Sequence, residues 1–327
     1  MNRARADIIA LLNGQKPPAP PAFSGLIHIT TEGLKHGGLL LHEVHHDAKK
    51  MARAAASTFQ LTGIPSATLP LDLSVEAEAL GAVPDFSHDD RFPLPAAPSV
   101  ASVKDIVIPS DALTRGRLPV IQEAIANLKP DIGNETVISG MIPGPYTLLL
   151  LLVEPGKLFI EMKKEPGAVN QVLGHLGHFL AQVAHAYKAA GADFITIHDM
   201  GGSPAFIGPA KYEQFVFPAE KQLIAELPTP RVLSVCGNIN PVLHLLGETG
   251  AEAISIDQTS DLIISRARLL DTLLFGNIDP VETLWRGNQA QVREAVEGAK
   301  EAGVDAIWPG CDIVPITPIE NIKFLVH

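Results

Sequence analysis

Short apolar runs rich in β-branched residues alternate along this chain of 327 residues with longer segments of good helix formers. Eight of the runs are predicted strands: Ala22–Ser24, Ser66–Asp72, Thr136–Gly140, Asp193–Asp199, Val232–Cys236, Ala253–Asp257, Thr272–Gly276 and Asp305–Pro309. The predicted helices are Asp47–Phe59, Leu118–Leu128, Ala168–Ala190, Lys211–Leu227, Val242–Thr249, Ser260–Leu269 and Gln289–Ala302. Repeated strand–helix units build a parallel sheet, and eight of them close into a barrel. We therefore predict an α/β fold, a (β/α)8 TIM barrel with an N-terminal helical extension, formed by residues 1–327 as one domain.

The charge balance of the chain argues against two classes of partner. There are 25 basic and 36 acidic residues, which give a formal charge of −11. Nucleic acids and anionic membrane surfaces would both repel such a protein at long range. The apolar segments Ile8–Leu12 and Leu148–Val153 are too short for a signal-peptide core or a membrane span. We expect a soluble cytoplasmic protein with no nucleic-acid partner and no membrane association.

The chain has only two cysteines, and each lies beside a glycine in a turn that follows a predicted strand. Cys236 ends the fifth predicted strand and Cys311 follows the eighth, so a barrel would place both thiols at the strand ends where barrel enzymes carry their chemistry. Either cysteine could instead be a small buried hydrophobic residue, which is common for a free cysteine. Two thiolates with one or two nitrogen or oxygen ligands would hold a zinc ion with an open coordination position.

Other ionisable residues also fall at predicted strand ends. His198 and Asp199 come directly before the glycine-rich turn Met200–Pro204, where a structural role does not require two ionisable groups. A functional role is therefore favoured for this pair. Asp72 could act in an active site, or its carboxylate could cap the helix that follows it.

Two further strand-end residues and a histidine pair have open alternatives. Asp257 and Asn277 end predicted strands, and either could serve the site or hydrogen-bond the backbone of a turn. His175 and His178 lie one turn apart on the long predicted helix, so they could bind a metal ion. Because helices lie on the outside of a barrel, a solvated role is favoured for both histidines.

Several segments together resemble the uroporphyrinogen decarboxylase superfamily. They are Val75–Ala82, Gly144–Thr147, Ser203–Pro204, Tyr212–Pro218, Cys236–Asn238, Gly276–Pro280, Pro309–Cys311 and Thr317–Asn321. Within that superfamily they are most similar to the cobalamin-dependent methyltransferase branch, which includes methylcobamide:coenzyme M methyltransferases and the chloromethane methyltransferase. The resemblance spans nearly the whole chain and implies a barrel fold.

The resemblance implies a zinc site, an activated thiol and a methyl group exchanged with a corrinoid. The family ligands are a His-x-Cys motif and a distant cysteine, which correspond here to Cys236 and Cys311. The histidine of that motif is replaced by Ser234, a poor neutral ligand for zinc. Either His198, Asp199 or Glu76 completes the site, or zinc is bound weakly or is absent.

We further expect polar or catalytic roles for a set of cavity residues and cofactor contacts for a second set. The first set is Asp72, Glu76, His198 and Asp199, and the second is Asn238, Asp257 and Asn277. No Asp-x-His-x-x-Gly corrinoid motif occurs in the chain, which implies that methylcobalamin is supplied by a partner corrinoid protein. The other partner is a small methyl acceptor or donor, with a zinc-activated thiol such as coenzyme M as one candidate.

Two alternative functions remain open from the sequence. A tetrapyrrole decarboxylase of the same superfamily would need arginines that grip substrate carboxylates, and the corresponding stretch Ala22–Ile27 has none. The expected carboxylates of the cavity would also repel such a substrate without a balancing arginine. A corrinoid-protein binding module that has lost its zinc is the non-enzymatic alternative. We expect a corrinoid-dependent methyltransferase.

Overall fold

The computed structural model of the chain describes residues 2–88 and 91–326. Within them seven strands form one parallel sheet, in which each strand pairs with the next along the chain. The strands are β1 (Ser66–Leu69), β2 (Val137–Pro143), β3 (Phe194–Asp199), β4 (Arg231–Val235), β5 (Ala253–Ile256), β6 (Leu273–Ile278) and β7 (Ala306–Pro309). A sheet with this strand order and parallel pairing curls in the manner of a TIM barrel.

One irregular segment lies between the two edges of the sheet. Ala22 forms a parallel bridge with Ile307 of β7, and the N–H of Phe23 donates to the Ile307 carbonyl at 3.2 Å. On the other side, the N–H of Ser24 donates to Oγ of Ser66 in β1 at 2.9 Å. The expected first strand, Ala22–Ser24, is therefore a single bridge residue, because the contact with β1 uses a side chain in place of a backbone ladder.

The α-helices lie before, between and after the strands. They are α1 (Arg3–Leu12), α2 (Thr31–His36), α3 (Leu41–Val44), α4 (Ala48–Thr62), α5 (Val75–Ala79), α6 (Leu118–Ile132), α7 (Pro145–Leu152), α8 (Pro155–Lys164), α9 (Pro166–Ala190), α10 (Pro204–Ile207), α11 (Pro209–Lys211), α12 (Phe217–Glu226), α13 (Leu243–Leu246), α14 (Leu262–Arg268), α15 (Gln289–Glu301) and α16 (Ile319–Val326). None of the helices in the described part of the chain is long and apolar enough to cross a membrane.

Some predicted elements differ from those observed. The helix expected over Lys211–Leu227 is interrupted by a π-helical turn, Tyr212–Val216, and the helix expected over Val242–Thr249 is reduced to α13. The strand expected over Ser66–Asp72 ends at Leu69, because Pro70 has no N–H to donate to a ladder.

The interior of the sheet is layered, because every second residue of a strand faces the same side. An apolar layer at the N-terminal end of the strands includes Val137, Phe194, Val232, Ala253, Phe275 and Ala306, and Ile8, Leu11 and Leu12 of α1 pack against it. The next layer, two residues further along four of these strands, is Ser139, Thr196, Ser234 and Ser255. Helix α1 thus covers the N-terminal end, and polar side chains become frequent towards the C-terminal end.

Candidate metal centre

Three side chains from different parts of the sheet meet at its C-terminal end. His198 lies in β3, Cys236 directly follows β4, and Cys311 lies two residues after β7. Nε2 of His198 is 3.4 Å from Sγ of Cys236 and 3.6 Å from Sγ of Cys311. The two sulfur atoms are 2.8 Å apart, and both cysteines are free thiols. One imidazole nitrogen and two sulfurs therefore converge within 4.8 Å of one another.

The donor set of this cluster fits zinc. Zinc prefers tetrahedral coordination by thiolate sulfur and imidazole nitrogen, and catalytic sites often use three protein ligands with a fourth position for substrate. Of the residues that the structure describes, His198, Cys236 and Cys311 are the group of three or more potential ligands placed this closely together. Two thiolates would also balance the charge of the divalent ion. The residues present can thus hold zinc with one position free for a substrate atom.

The carboxylate of Asp312 lies behind His198. Its Oδ2 is 3.6 Å from Nδ1 of His198, beyond hydrogen-bond distance, while its Oδ1 accepts the N–H of Ile27 at 2.8 Å. Burial lowers the pKa of His198, but Asp312 and the Cys311 thiol outweigh burial and raise it to about 9. A carboxylate on the far nitrogen of a ligating histidine orients the ring towards the metal. Sequence reasoning missed Asp312, although it directly follows Cys311.

The two thiols differ in acidity. The hydrogen bond with Cys236 and the nearby His198 lower the pKa of Cys311 to about 6, against the effect of burial. The same hydrogen bond, together with burial, raises the pKa of Cys236 well above its usual value. One thiolate is therefore favoured near neutral pH, and a metal ion would be needed to deprotonate the second.

Ser234 lies next to this cluster, on the strand that leads to Cys236. It is the register partner of His198 on the neighbouring strand, so both side chains point to the same face of the sheet. Its buried Oγ has no hydrogen-bond partner among the residues that the structure describes. The imidazole nearest to the two cysteines is that of His198, on the strand adjacent to the one that leads to Cys236.

Asp199 lies apart from this cluster. As the neighbour of His198 along β3, it points to the opposite face of the sheet. Its Oδ1 accepts hydrogen bonds from the Thr147 hydroxyl and from the N–H of Gly202. A Cβ atom at Gly202 would lie 2.5 Å from Asp199 Oδ2, so glycine is required where the backbone closes around this carboxylate.

Asp72 is held in a buried ionic cluster. Its oxygens accept hydrogen bonds from Nη1 and Nη2 of Arg117 at 2.6 and 3.0 Å, and Nδ1 of His45 is 3.1 Å away. Oδ1 also accepts the N–H of Ser74 at 2.9 Å, just before α5. Burial raises the pKa of Asp72, but Arg117 and His45 bring it well below its usual range. The expectation that no arginine balances Asp72 is therefore wrong, because Arg117 pairs with it. The two residues are 45 positions apart in sequence.

Glu76 is buried beside helix α9. The Tyr187 hydroxyl donates to its Oε1 at 3.2 Å, and its Oε2 has no hydrogen-bond partner within residues 2–88 and 91–326. Burial raises the pKa of Glu76 to about 8. Tyr187 belongs to α9, so Glu76 lies where helices pack and outside the group formed by His198 and the two cysteines.

The three residues expected to contact a cofactor hold turns at the C-terminal end of the sheet. Oδ1 of Asp257 accepts the N–H and hydroxyl of Thr259 at 2.8 and 2.7 Å. Nδ2 of Asn277 donates to the carbonyls of Asp257 and Ser260, and Oδ1 of Asn238 accepts the N–H of Asn240. These bonds match the turn-binding alternative that was left open for Asp257 and Asn277.

Comparison with known proteins gives consistent results. The family model described as uroporphyrinogen decarboxylase (URO-D) matches residues 3–327. The methylcobamide:CoM methyltransferase MtaA of Methanosarcina barkeri is 30% identical over 98% of this chain and 95% of its own length. The methylcobamide:CoM methyltransferase MtbA of Methanosarcina mazei is 30% identical over 91% of this chain and 89% of its own length.

A solved structure is also similar along the whole chain. It is a methyltransferase from Methanosarcina mazei, with a TM-score of 0.95 and 28% identity, and the match covers 100% of this chain and 98% of that one. The resemblance inferred from sequence motifs is thus confirmed, and the seven-stranded sheet has the architecture of a known methyltransferase.

Proposed function

Because this chain belongs to the uroporphyrinogen decarboxylase (URO-D) family, we propose that it is a methyltransferase that exchanges a methyl group between a methylcobamide and a small thiol bound to zinc. The observation that carries the proposal is the convergence of His198, Cys236 and Cys311 at the C-terminal end of the sheet. Barrel enzymes carry their chemistry at this end. The similarity to two methylcobamide:CoM methyltransferases over more than nine tenths of the chain supports the same reaction.

His198, Cys236 and Cys311 are the proposed zinc ligands. Bound zinc would supply one effect, a lower pKa for a coordinated substrate thiol, which makes its sulfur a stronger nucleophile at neutral pH. Asp312 would orient His198 through Nδ1. The apolar layer under the site and helix α1 close the other end of the sheet, so substrates would approach from the C-terminal end.

The reaction is a displacement at carbon. The thiolate sulfur attacks the methyl group, a carbon–sulfur bond forms, and the cobalt–carbon bond breaks with its electron pair left on cobalt. The products are a thioether and cob(I)alamin, and the thiol proton is released when the thiol binds. Alignment of the two reactants by the site would supply much of the acceleration.

The corrinoid would be presented by a partner protein, because the chain has no corrinoid motif of its own. Exposed apolar side chains occur in the segments that follow β3 and β7: Met200, Phe206 and Ile316. Apolar residues next to a site commonly mark a surface for binding, and a large planar corrin matches them. The turns held by Asp257, Asn277 and Asn238 would form part of this docking surface.

The experiment is a spectroscopic assay of zinc-loaded protein with methylcobalamin and a small thiol. We expect the absorbance change of cob(I)alamin formation, and we expect its rate to fall strongly in His198→Ala. The variant His175→Ala, which changes an exposed histidine on α9, is the matched control and should keep the wild-type rate.

Uroporphyrinogen is the second substrate of this test. Release of carbon dioxide from it, without methylcobalamin turnover across several thiols, would replace the proposal with a decarboxylase. Binding of a corrinoid protein without either reaction would instead identify a binding module.

A further inference from the structure

The carboxylate behind His198 is bonded to the segment 22–28, which precedes the sheet in the chain. Oδ1 of Asp312 accepts the N–H of Ile27 at 2.8 Å, and the N–H of Ile313 donates to the Ile27 carbonyl at 2.9 Å. Oδ2 of Asp312 is the oxygen that faces Nδ1 of His198 at 3.6 Å. Ile27 and Asp312 therefore form one unit, whose position decides where the carboxylate lies behind the imidazole.

Two routes around the sheet connect this unit to His198 in β3. The segment 22–28 lies between β7 and β1. From the segment, one route to β3 crosses β1 and β2, whereas the other crosses β7, β6, β5 and β4. The shorter route can fix the position of Asp312 relative to His198 only if the segment is bonded to β1.

The imidazole of His28 bonds the segment to β1. Its Nε2 lies 3.0 Å from the carbonyl oxygen of Ser66, the first residue of β1, and 3.3 Å from the Ser66 hydroxyl. Its Nδ1 lies 2.7 Å from the carbonyl oxygen of Leu26 within the segment. A proton on either nitrogen can be donated to a carbonyl oxygen, and an unprotonated Nε2 can accept from the hydroxyl. The ring therefore links the segment to β1 in either tautomer.

His28 is well placed to act on the Asp312 bond. It is 2% exposed, and its own carbonyl accepts the hydroxyl of Thr58 in α4 at 2.7 Å, so the residue is held from two sides. The contact of Ser24 with Ser66 lies three residues before Ile27, whereas His28 is adjacent to Ile27. The ring of His28 is thus the contact with β1 that bears directly on the residue bonded to Asp312.

We propose that His28 is a positioning residue for the metal centre: by bonding Ile27 to β1, it holds the Asp312 carboxylate at the far nitrogen of His198. This inference rests on the proposed zinc site. A carboxylate at that nitrogen orients a ligating histidine, and loss of such a partner lowers metal affinity by about 10- to 100-fold. Without the imidazole, the unit of Ile27 and Asp312 is held mainly from the side of β7. His28 acts through these two residues and contacts neither zinc nor substrate.

The first test separates the two nitrogens of His28. The amide nitrogen of glutamine can take the place of Nε2, and that of asparagine the place of Nδ1. His28→Gln can therefore keep a bond to Ser66 in β1, whereas His28→Asn keeps only the bond to Leu26. Competition with a chelator of known affinity measures zinc binding. We expect His28→Asn to bind zinc about tenfold more weakly than wild type and His28→Gln to stay close to it. Wild-type affinity in His28→Asn would overturn the proposal.

The second test asks whether His28 acts through Asp312. Asp312→Ala alone should weaken zinc binding by about tenfold or more, and His28→Asn added to it should cause no further loss, because the carboxylate is already gone. A further tenfold loss in the double variant would overturn the proposed route. Arg5→Leu is the control for stability, since it removes a buried ion pair with Asp193 at the other end of the sheet. It should destabilise the protein towards urea and keep the wild-type zinc affinity.

Methyl transfer is measured on the same proteins, which separates this inference from the proposed reaction. Unchanged zinc affinity in His28→Asn, with methyl transfer by the wild type, would overturn the role of His28 alone. Weaker zinc binding in His28→Asn, without methyl transfer by the wild type, would support the role of His28 and contradict the proposed reaction. An equal loss of zinc affinity in Arg5→Leu and His28→Asn would attribute the effect to lost stability and overturn the proposal.

Discussion

His198 and Ser234 are register partners on neighbouring parallel strands, and their side chains point to the same face of the sheet. Neighbouring strands lie about 4.8 Å apart, so an imidazole from either position can reach the same two cysteines. In the proposed site, the nitrogen ligand that the family motif places two residues before Cys236 would therefore be replaced by His198 from the next strand. The proposed metal site keeps its composition although one ligand changes its position in the sequence.

This replacement predicts a ligand exchange. His198→Ala should lose zinc, and the double variant His198→Ala/Ser234→His should regain it, because the second imidazole enters the same face. Zinc per chain is measured by atomic absorption after dialysis against a weak chelator. Failure of the double variant to regain zinc, in a protein that remains folded, would contradict the shared position.

Ser234→His alone gives a different expected outcome. A second imidazole beside His198 would supply a fourth protein ligand, so zinc should bind more tightly while the position for the thiol is filled. We expect slower release of zinc to a chelator together with loss of methyl transfer. Faster zinc release than from the wild type would be incompatible with this geometry.

The cysteines are expected to act as a pair. Near-stoichiometric zinc should fall to nearly none in either Cys236→Ser or Cys311→Ser, because one thiolate and one imidazole are too few ligands for stable binding. Metal analysis of the purified variants checks this, with the exposed His175→Ala as control. Zinc retained in both cysteine variants would exclude the cluster as the metal site.

Arg117 is expected to be essential for stability. Arg117→Leu leaves the buried carboxylate of Asp72 without its main partner, which should lower the free energy of unfolding by about 3–5 kcal/mol. Urea denaturation measures the change. The control is Arg115, two residues before Arg117, which forms an exposed ion pair with Asp111. Arg115→Leu removes this pair and should lower the free energy of unfolding by less than about 1 kcal/mol. Similar losses in the two variants would show that the buried ion pair is not the cause.

Glu76 is expected to make stability depend on pH. Its pKa is raised by burial from 4.5 to about 8 in the folded protein, so the folded state holds the proton more tightly than the unfolded chain. The contribution of Glu76 to the free energy of unfolding is fully present below pH 4.5 and is lost as the pH rises through about 8. Between these pH values the free energy of unfolding falls with a slope approaching ~1.4 kcal/mol per pH unit.

Glu76→Gln should remove this slope between pH 5 and pH 8 and make the protein more stable than wild type at the upper end. The amide oxygen can still accept the hydrogen bond from Tyr187. Urea denaturation at several pH values is the measurement, and Glu135→Gln, at an exposed carboxylate, is the control that should retain the slope. A wild-type slope in Glu76→Gln would contradict a buried, proton-binding Glu76.

The alternation of apolar runs and helices was sufficient to predict all seven observed strands to within three residues at each end, and to place both cysteines at strand ends. This was possible because strand and helix periodicity is a local property of the chain. Local alternation also contained a signal that the prediction did not use: His198 and Asp199 are adjacent in one strand, so only one of them can face the interior. The structure shows that it is His198.

Other features were decided only by the tertiary structure. The pairing of Asp72 with Arg117 joins residues 45 positions apart, and no local pattern specifies such a partner. The closeness of His198 to Cys311 depends on the curl of a sheet whose β3 and β7 are separated by three other strands. The candidate ligands could therefore be named from the sequence, whereas the set that converges was fixed by strand register and by closure of the sheet, which act between distant parts of the chain.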